Sequence, residues 1–169
     1  MKMIGVSQMT ILFLAIFASV PTFAQDINIE PQNEEVELSR NSRDLEGTWD
    51  VLVSIRNCQN NVVIRTFPSV GTFMSGGTTI DSTSGIPQAM KTPGHGVWQR
   101  LTGPRYRFRF KSFSFDAGGN PTGWSIITHE ATLNRKGDQY DSSGISQIYD
   151  MSGNLILTGC STTTANRFR

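Results

Sequence analysis

The sequence has few of the residues that catalytic and metal sites most often use. Its 169 residues include only two cysteines, Cys58 and Cys160, and two histidines, His95 and His129. It contains no Gly-x-Ser-x-Gly nucleophile motif, no phosphate-binding loop and no dinucleotide-binding glycine pattern. Two distant cysteines and two histidines do not predict a zinc site. We therefore expect no metal, no cofactor and no catalytic residue set that the sequence itself reveals.

Long apolar runs are confined to the N-terminus. Lys2 precedes the mostly apolar segment Ile4–Val20, and Thr22-Phe23-Ala24 offers small residues for cleavage. This pattern is typical of a secretory signal peptide, so we interpret residues 1–24 as one and expect export to the periplasm or the cell exterior. No later stretch approaches the roughly 18–20 apolar residues that span a bilayer, which predicts a mature chain without a transmembrane segment.

Charge of each sign is unevenly distributed along the remaining chain. Between Gln25 and Glu46 there are seven acidic and two basic residues, whereas from Gly47 to Arg169 there are twelve basic and seven acidic residues. The first part also lacks aromatic residues, so residues 25–45 are predicted to form an acidic flexible leader before a domain at 46–169. The net charge of +5 on that domain is too small to indicate nucleic-acid binding.

The domain shows alternating strands and turns, with no helical periodicity. Period-two patterns bounded by Gly, Pro and Asn predict strands. The eight candidates are Gly47–Arg56, Val62–Phe67, Val70–Ser75, His95–Leu101, Arg105–Asp116, Gly123–Arg135, Gln139–Asp150 and Leu155–Phe168. The segment Gly76–Gly94 is predicted to be the longest irregular stretch. A shift in parity at Phe113 and Phe115 predicts a bulge near Ser112 or a strand end that changes neighbours.

Hairpin connections of this length force neighbouring strands to be antiparallel. Eight such strands form either a sandwich or an up-and-down barrel, and the lack of long crossovers favours the all-β, eight-stranded barrel. In a closed barrel the first and last strands are neighbours. Because Cys58 ends the first strand and Cys160 lies in the last, an exported chain is predicted to bridge them by a disulfide.

At Gly47-Thr48-Trp49 the chain resembles the calycins, the lipocalin and fatty-acid-binding barrels, which open their first strand with Gly-x-Trp. The resemblance is to a small, lipocalin-like exported bacterial protein. It implies that Trp49 packs at the closed end of the barrel. It also implies that an arginine from the last strand, Arg167 or Arg169, lies over the indole.

Several side chains are candidates for a ligand site inside such a barrel. Parity places His129 on the inward face of its strand, where it would be either a ligand contact or acid–base group, or a hydrogen-bonded core residue. The inward aromatic face of the fifth candidate strand is either core or cavity wall. The predicted ligand-binding residues are Trp49, Tyr106, Phe108, Phe110, His129, Tyr140 and Tyr149, with His95 and Trp98 at a mouth formed by the Gly76–Gly94 loop.

Four basic residues share the opposite face of the aromatic strand: Arg105, Arg107, Arg109 and Lys111. They either bind an anionic partner or form a solvated outer face with acidic neighbours across the ladder.

The sequence therefore favours an exported binding module for a small hydrophobic ligand in the barrel lumen. One alternative is an isomerase- or cyclase-like enzyme, which needs a second titratable group within hydrogen-bond reach of His129, with Tyr140, Tyr149 and Gln147 as the candidates to check. Another is a barrel filled by its own side chains that acts through its surface. An open lumen of more than about 300 Å³ would favour binding.

Overall fold

The computed structural model of the protein describes residues 44–169. The predicted signal peptide and nearly all of the predicted leader lie outside this range. The strands are β1 (Gly47–Arg56), β2 (Val63–Met74), β3 (Thr78–Thr83), β4 (Gly94–Arg100), β5 (Arg105–Phe115), β6 (Pro121–Leu133), β7 (Gln139–Asp150) and β8 (Leu155–Arg167). One short 3₁₀ turn, Gln88–Met90, lies between β3 and β4.

All eight strands are antiparallel and follow one another around a closed barrel, which confirms the predicted all-β, up-and-down architecture. The barrel closes where β1 pairs with β8, from Trp49 opposite Arg167 to Arg56 opposite Cys160. Closure removes both edge strands of the sheet, so no row of unpaired backbone groups is left along the seam.

The predicted disulfide between Cys58 and Cys160 is confirmed, with 5.2 Å between the two Cα atoms. It joins the β1–β2 turn to β8 at the point where the pairing of β1 with β8 ends. The cross-link therefore closes one end of the seam covalently.

The strand boundaries differ from the prediction first at Pro68. Pro68 does not end a strand: β2 runs through it, and Pro68 stays in register with Leu52 of β1. The Pro68 carbonyl accepts a hydrogen bond from the Ser84 backbone, just beyond the end of β3. Its missing N–H therefore faces the side where the β2–β3 ladder finishes, and the proline removes no hydrogen bond from the β1 ladder.

A second difference lies within the segment predicted to be irregular. Residues Thr78–Thr83 form β3, which pairs with β2 and β4, so the connection between strands shortens to residues 84–93. The count of eight strands is correct because two predicted strands merge into β2 while β3 replaces part of the predicted loop. His95 and Trp98 lie in β4, which corresponds to the strand predicted at His95–Leu101.

β5 alternates without interruption from Arg105 to Phe113, so the parity change expected at Phe113 does not occur and the irregularity predicted near Ser112 lies further along the strand. The register shift in the β5–β6 ladder lies at Ser114/Phe115 instead. Phe113 is simply an outward-facing aromatic residue, with Lys111 Nζ 5.0 Å from the centre of its ring.

The two ends of the barrel are named here by what they contain. At the tryptophan end are the start of β1 and the end of β8, with Trp49 as the largest buried side chain. The loop end contains the β3–β4 connection (residues 84–93), the other turns that follow odd-numbered strands, and the disulfide. Leu45, which the sequence assigned to the leader, is fully buried at the tryptophan end.

Candidate functional site

An internal cavity of about 260 Å³ occupies the half of the lumen nearest the loop end. Most of its accessible surface is aliphatic and aromatic, but nearly half of the lining residues are polar or charged: Arg65, Ser69, Thr79, Asp81, Thr83, Lys91, Ser125, His129, Ser146, Ser161 and Thr163. The apolar lining residues include Val51, Val53, Ile55, Phe67, Phe73, Phe108, Phe110, Ile127 and Ile148, and the β3–β4 connection contributes Gly85, Ile86 and Lys91. A water molecule occupies about 30 Å³ in the liquid, and an apolar cavity of about 150 Å³ can hold benzene. The space is therefore large enough for a small organic molecule.

The tryptophan end closes the opposite half of the lumen. The Trp49 indole is fully buried, and its Nε1 donates a 2.9 Å hydrogen bond to the Leu45 carbonyl. The Arg167 guanidinium carbon lies 4.3 Å from the centre of the indole ring, which confirms the arginine stack implied by the calycin resemblance and assigns it to Arg167. Cation–π contacts of this kind contribute about 0.5–2 kcal/mol.

Arg167 also has hydrogen-bond partners for its guanidinium. It donates to the carbonyls of Asp44, Glu46 and Gly137 at 2.6–2.9 Å. Gly47 makes room for it: a Cβ atom on Gly47 would lie 2.7 Å from Nη1 of the arginine, and its φ of +121° disfavours other residues. The spacing Gly-x-Trp at the start of β1 thus has a physical reason, because the glycine admits the arginine that covers the tryptophan.

His129 points into the barrel, as its parity predicts, and is 2% exposed. Its Nδ1 lies 2.8 Å from Ser142 Oγ and its Nε2 lies 2.8 Å from Ser161 Oγ. Ser142 Oγ is in turn 2.6 Å from Thr163 Oγ1, on the neighbouring strand. Burial lowers the pKa of His129 to about 4, so the imidazole is neutral at physiological pH. Both ring nitrogens therefore have hydroxyl partners, and neither partner is a titratable group.

A buried charged pair lies on another part of the cavity wall. Lys91, from the β3–β4 connection, places its Nζ 3.8 Å from Asp81 Oδ1 of β3, and both side chains are less than one-fifth exposed. Ser69 Oγ donates to Asp81 Oδ2 at 2.7 Å. Burial raises the pKa of Asp81, against the opposing effects of Ser69 and Lys91. It lowers the pKa of Lys91, which the charge of Asp81 opposes.

The cavity includes four of the seven predicted ligand-binding residues: Phe108, Phe110, His129 and Tyr140. Trp49 and Tyr106 are fully buried at the tryptophan end and do not line the cavity. Tyr149 has outward parity on β7, and its ring stacks on Trp124 with 5.7 Å between ring centres. It contacts the outer face of the barrel and not the lumen.

The two residues predicted at the mouth occupy other places. His95 is exposed on the outer face of β4. Trp98 packs toward the tryptophan end, 5.9 Å from the Tyr106 ring, and its Nε1 donates to the Met74 carbonyl. The loop residues that do line the cavity are Gly85, Ile86 and Lys91.

Sequence reasoning missed Asp81, Lys91 and Ser69. The inward positions of β3 are Thr79, Asp81 and Thr83, which show no apolar alternation. A polar side chain facing a lumen looks the same in sequence as one facing solvent. The remaining signal was the position of Asp81 within a threonine-rich segment between glycines, which by itself does not indicate burial.

The basic residues of β5 form part of an outer face with an acidic neighbour across the ladder. Arg105 and Arg107 both contact Glu130 at 2.6 Å. Lys111 Nζ lies 4.2 Å from the centre of the Trp124 ring. These contacts are those expected of a solvated outer face, and pairs this exposed contribute about 0–1 kcal/mol to stability.

Over residues 44–169 the structure contains no group of three or more His, Cys, Asp or Glu side chains that could hold a metal ion. In the same part of the chain, no helix has the length and hydrophobicity needed to cross a membrane. A comparison with protein-family models finds none that matches the chain, and a comparison with curated proteins finds no match either.

Proposed function

We propose that this protein is an exported, calycin-like binding module that holds one small apolar molecule in the loop-end half of its barrel. The single observation that carries the proposal is the internal cavity of about 260 Å³ with its mostly aliphatic and aromatic surface. Ligand sites are typically concave with a mostly apolar surface, and the accessible surface of this space is mostly apolar. The volume of about 260 Å³ does not reach the roughly 300 Å³ given above as favouring binding, so the proposal is restricted to an occupant smaller than a drug-sized ligand.

Export is part of the proposal. It is supported by the N-terminal sequence pattern and by the disulfide, since disulfides persist in oxidising compartments such as the periplasm or the cell exterior. The calycin assignment is supported by the stack of Arg167 on Trp49 and by the room that Gly47 leaves for the arginine.

Two alternatives from the sequence are less well supported. An isomerase- or cyclase-like enzyme would need an acid–base partner for His129, but both ring nitrogens contact serine hydroxyls. A barrel filled by its own side chains would leave no internal space of this size.

A fluorescence titration with 1-aminoanthracene tests the proposal. We expect the wild type to bind the dye and Phe108→Arg to abolish binding, because a guanidinium would enter the apolar wall. The matched control is Phe113→Arg, which places the same group on the outer face of the same strand.

A second pair of variants avoids burying a charge. Ile148→Trp fills the lumen from β7 and should also abolish dye binding. Ile145→Trp, on the outer face of β7, should leave it unchanged. If folded wild-type protein does not bind the dye, or if Ile148→Trp binds it normally, the proposal is wrong.

Native mass spectrometry of protein purified from its source provides an independent readout. We expect a co-purifying small molecule that is absent from the Ile148→Trp variant.

A further inference from the structure

The charged residues of the cavity wall do not cancel one another. They are Arg65, Asp81 and Lys91. His129 also lines the cavity, but its imidazole is neutral at physiological pH because burial lowers its pKa to about 4. Lys91 Nζ lies 3.8 Å from Asp81 Oδ1, and the charges of this pair sum to zero whether both groups are ionised or the proton has passed between them. The net charge of the wall is therefore the positive charge of Arg65.

Arg65 lies at the outermost level of the wall. Its partner across the β1–β2 ladder is Ile55, the last pair before the register shifts toward the loop end. The buried charged pair lies deeper, because Ser69 Oγ donates to Asp81 Oδ2 at 2.7 Å. The four residues of strand from Arg65 to Ser69 span about 13 Å, which exceeds the Debye length of about 8 Å at physiological ionic strength. The charge of Arg65 therefore acts separately from the buried pair.

The cavity wall itself positions the Arg65 guanidinium. Its Cζ lies 5.3 Å from the centre of the ring of Phe67, the next inward residue of β2 and also part of the wall. None of the ion pairs formed within residues 44–169 includes Arg65. Because the side chain is exposed, its donors lie where the apolar wall meets solvent.

This arrangement determines where an occupant can carry a charge. Deep in the lumen an ionised group would lose its hydration, and the charged groups there, Asp81 and Lys91, already pair with each other. Beside Arg65 an anion keeps contact with solvent and faces a guanidinium, whose planar donors suit carboxylate and phosphate oxygens. An apolar cavity of about 150 Å³ holds the six carbon atoms of benzene, so about 260 Å³ holds about ten carbon atoms.

We infer that the occupant is a small anionic amphiphile, with an apolar part of about ten carbon atoms or fewer in the cavity and one oxyanion group paired with Arg65 at the loop end. This inference rests on the proposed binding function and specifies the ligand class for that site. The apolar wall supplies most of the affinity, and Arg65 selects for the negative charge.

Calorimetric titration with three eight-carbon compounds at pH 7.5 tests the inference: octanoate, 1-octanol and octylammonium. We expect octanoate to bind about fivefold more tightly than 1-octanol, as for a partly exposed ion pair. Molar salt should remove most of this difference. Octylammonium should bind most weakly of the three, because its charge would meet that of Arg65.

Substitutions at Arg65 locate the effect. Arg65→Gln should weaken octanoate binding about fivefold and leave the affinity for 1-octanol within about twofold. Arg65→Glu should reverse the preference, so that octylammonium binds more tightly than octanoate. The matched control is Arg109→Gln, at an exposed position on the outer face of β5. It changes the net charge of the protein by the same amount as Arg65→Gln and should change none of the three affinities.

The size limit is tested by chain length. Decanoate should bind more tightly than octanoate, because it buries two more methylene groups. Dodecanoate should bind no more tightly than decanoate, because the cavity is then full. A second gain of the same size from decanoate to dodecanoate would overturn the size limit.

The outcomes separate this inference from the proposed function. If octanoate and 1-octanol bind the wild type equally well, or if Arg65→Gln binds octanoate like the wild type, the inferred ligand class is wrong while the binding function stands. The same holds if none of the three compounds binds folded wild-type protein but 1-aminoanthracene does. If 1-aminoanthracene does not bind either, both are wrong.

Discussion

The tryptophan end and the loop end of the barrel are built from the same eight strands, yet one is packed and the other contains a cavity. At the tryptophan end the inward positions carry large side chains, among them Trp49, Tyr106 and Leu133. Toward the loop end many inward positions are small: Ser69, Ser125, Ser146 and Ser161. Because a barrel of this size is just wide enough for its side chains to fill, the size of the inward residues decides where a space remains.

The two ends also stabilise the β1–β8 seam by different means. At the tryptophan end Arg167 of β8 stacks on Trp49 of β1 and bonds three backbone carbonyls. At the loop end the Cys58–Cys160 disulfide performs this role. A packed end can be held by non-covalent contacts, whereas an end with a cavity has fewer of them and benefits more from a covalent bond.

The largest expected effect comes from breaking the packed end. Trp49→Ala should lower the free energy of unfolding by about 3–5 kcal/mol, because it removes a fully buried aromatic side chain and leaves a cavity. Trp124→Ala, on the outer face, should cost at most about 1.5 kcal/mol through loss of its stack on Tyr149. Urea unfolding of both variants measures the difference. Equal losses would contradict a packed core at this end.

Removing the covalent bond at the loop end should have a comparable or smaller effect. The double variant Cys58→Ser/Cys160→Ser should lower the free energy of unfolding by about 2–5 kcal/mol, since the cross-link closes a long loop. Hydrogen exchange should increase first in β8 near Leu157, while amides near Ala165 remain protected. A uniform increase in hydrogen exchange along β8 would contradict the view that the two ends of the seam are stabilised independently.

The pH dependence of the free energy of unfolding probes the boundary between the two ends, where His129 titrates. Its pKa is about 4 when folded and near 6.5 when unfolded, so the unfolded chain binds the proton first as the pH falls. The His129 contribution to stability is complete above about pH 6.5 and is lost toward pH 4, by about 3 kcal/mol in total.

Urea midpoints measured between pH 7.5 and pH 4.5 test this prediction, with His129→Gln as the control that cannot titrate. The variant should show a markedly weaker pH dependence than the wild type. An identical pH dependence of both proteins would show that His129 does not cause the loss.

The smallest effect concerns the arginine stack. Arg167→Lys keeps the positive charge but loses the planar guanidinium group with its several donors. It should lower the free energy of unfolding by about 1–2 kcal/mol. Arg169→Lys, at an exposed position, should change stability by less than about 0.5 kcal/mol. Thermal unfolding distinguishes the two. If both variants unfold like the wild type, the stack contributes nothing measurable to the tryptophan end.

Much of the fold could be predicted from local patterns. The alternation in β5, β6 and β7 and the short turns between them predict antiparallel neighbours, and the two cysteines fit only if β1 and β8 meet. Pro68 misled the prediction because sequence does not show which side of a strand its missing N–H faces. β3 escaped detection because its inward residues are polar, so that no hydrophobic alternation marks it.

The same reasoning identified only part of the candidate site. Parity correctly assigned Phe108, Phe110 and His129 to the inner face, and the structure includes all three in the cavity wall together with Tyr140, which was predicted only as a polar contact. Parity also assigned Trp49 and Tyr106 to the inner face, but both lie at the tryptophan end and do not line the cavity. It does not report height along the barrel axis, which depends on strand tilt and on the register between neighbours.

The sequence by itself determined that the chain forms an antiparallel barrel, which residues face its interior in the strands with apolar alternation, and that Cys58 can meet Cys160. These properties follow from period-two alternation and hairpin length, both of which are local. Only the tertiary structure decided which inward residues fill the lumen and which surround a space. It also decided that Asp81 and Lys91, 10 positions apart in the sequence, would share that space with Tyr140. The physical reason is that closure brings together residues from distant strands at one height of the barrel, and no local pattern encodes that height.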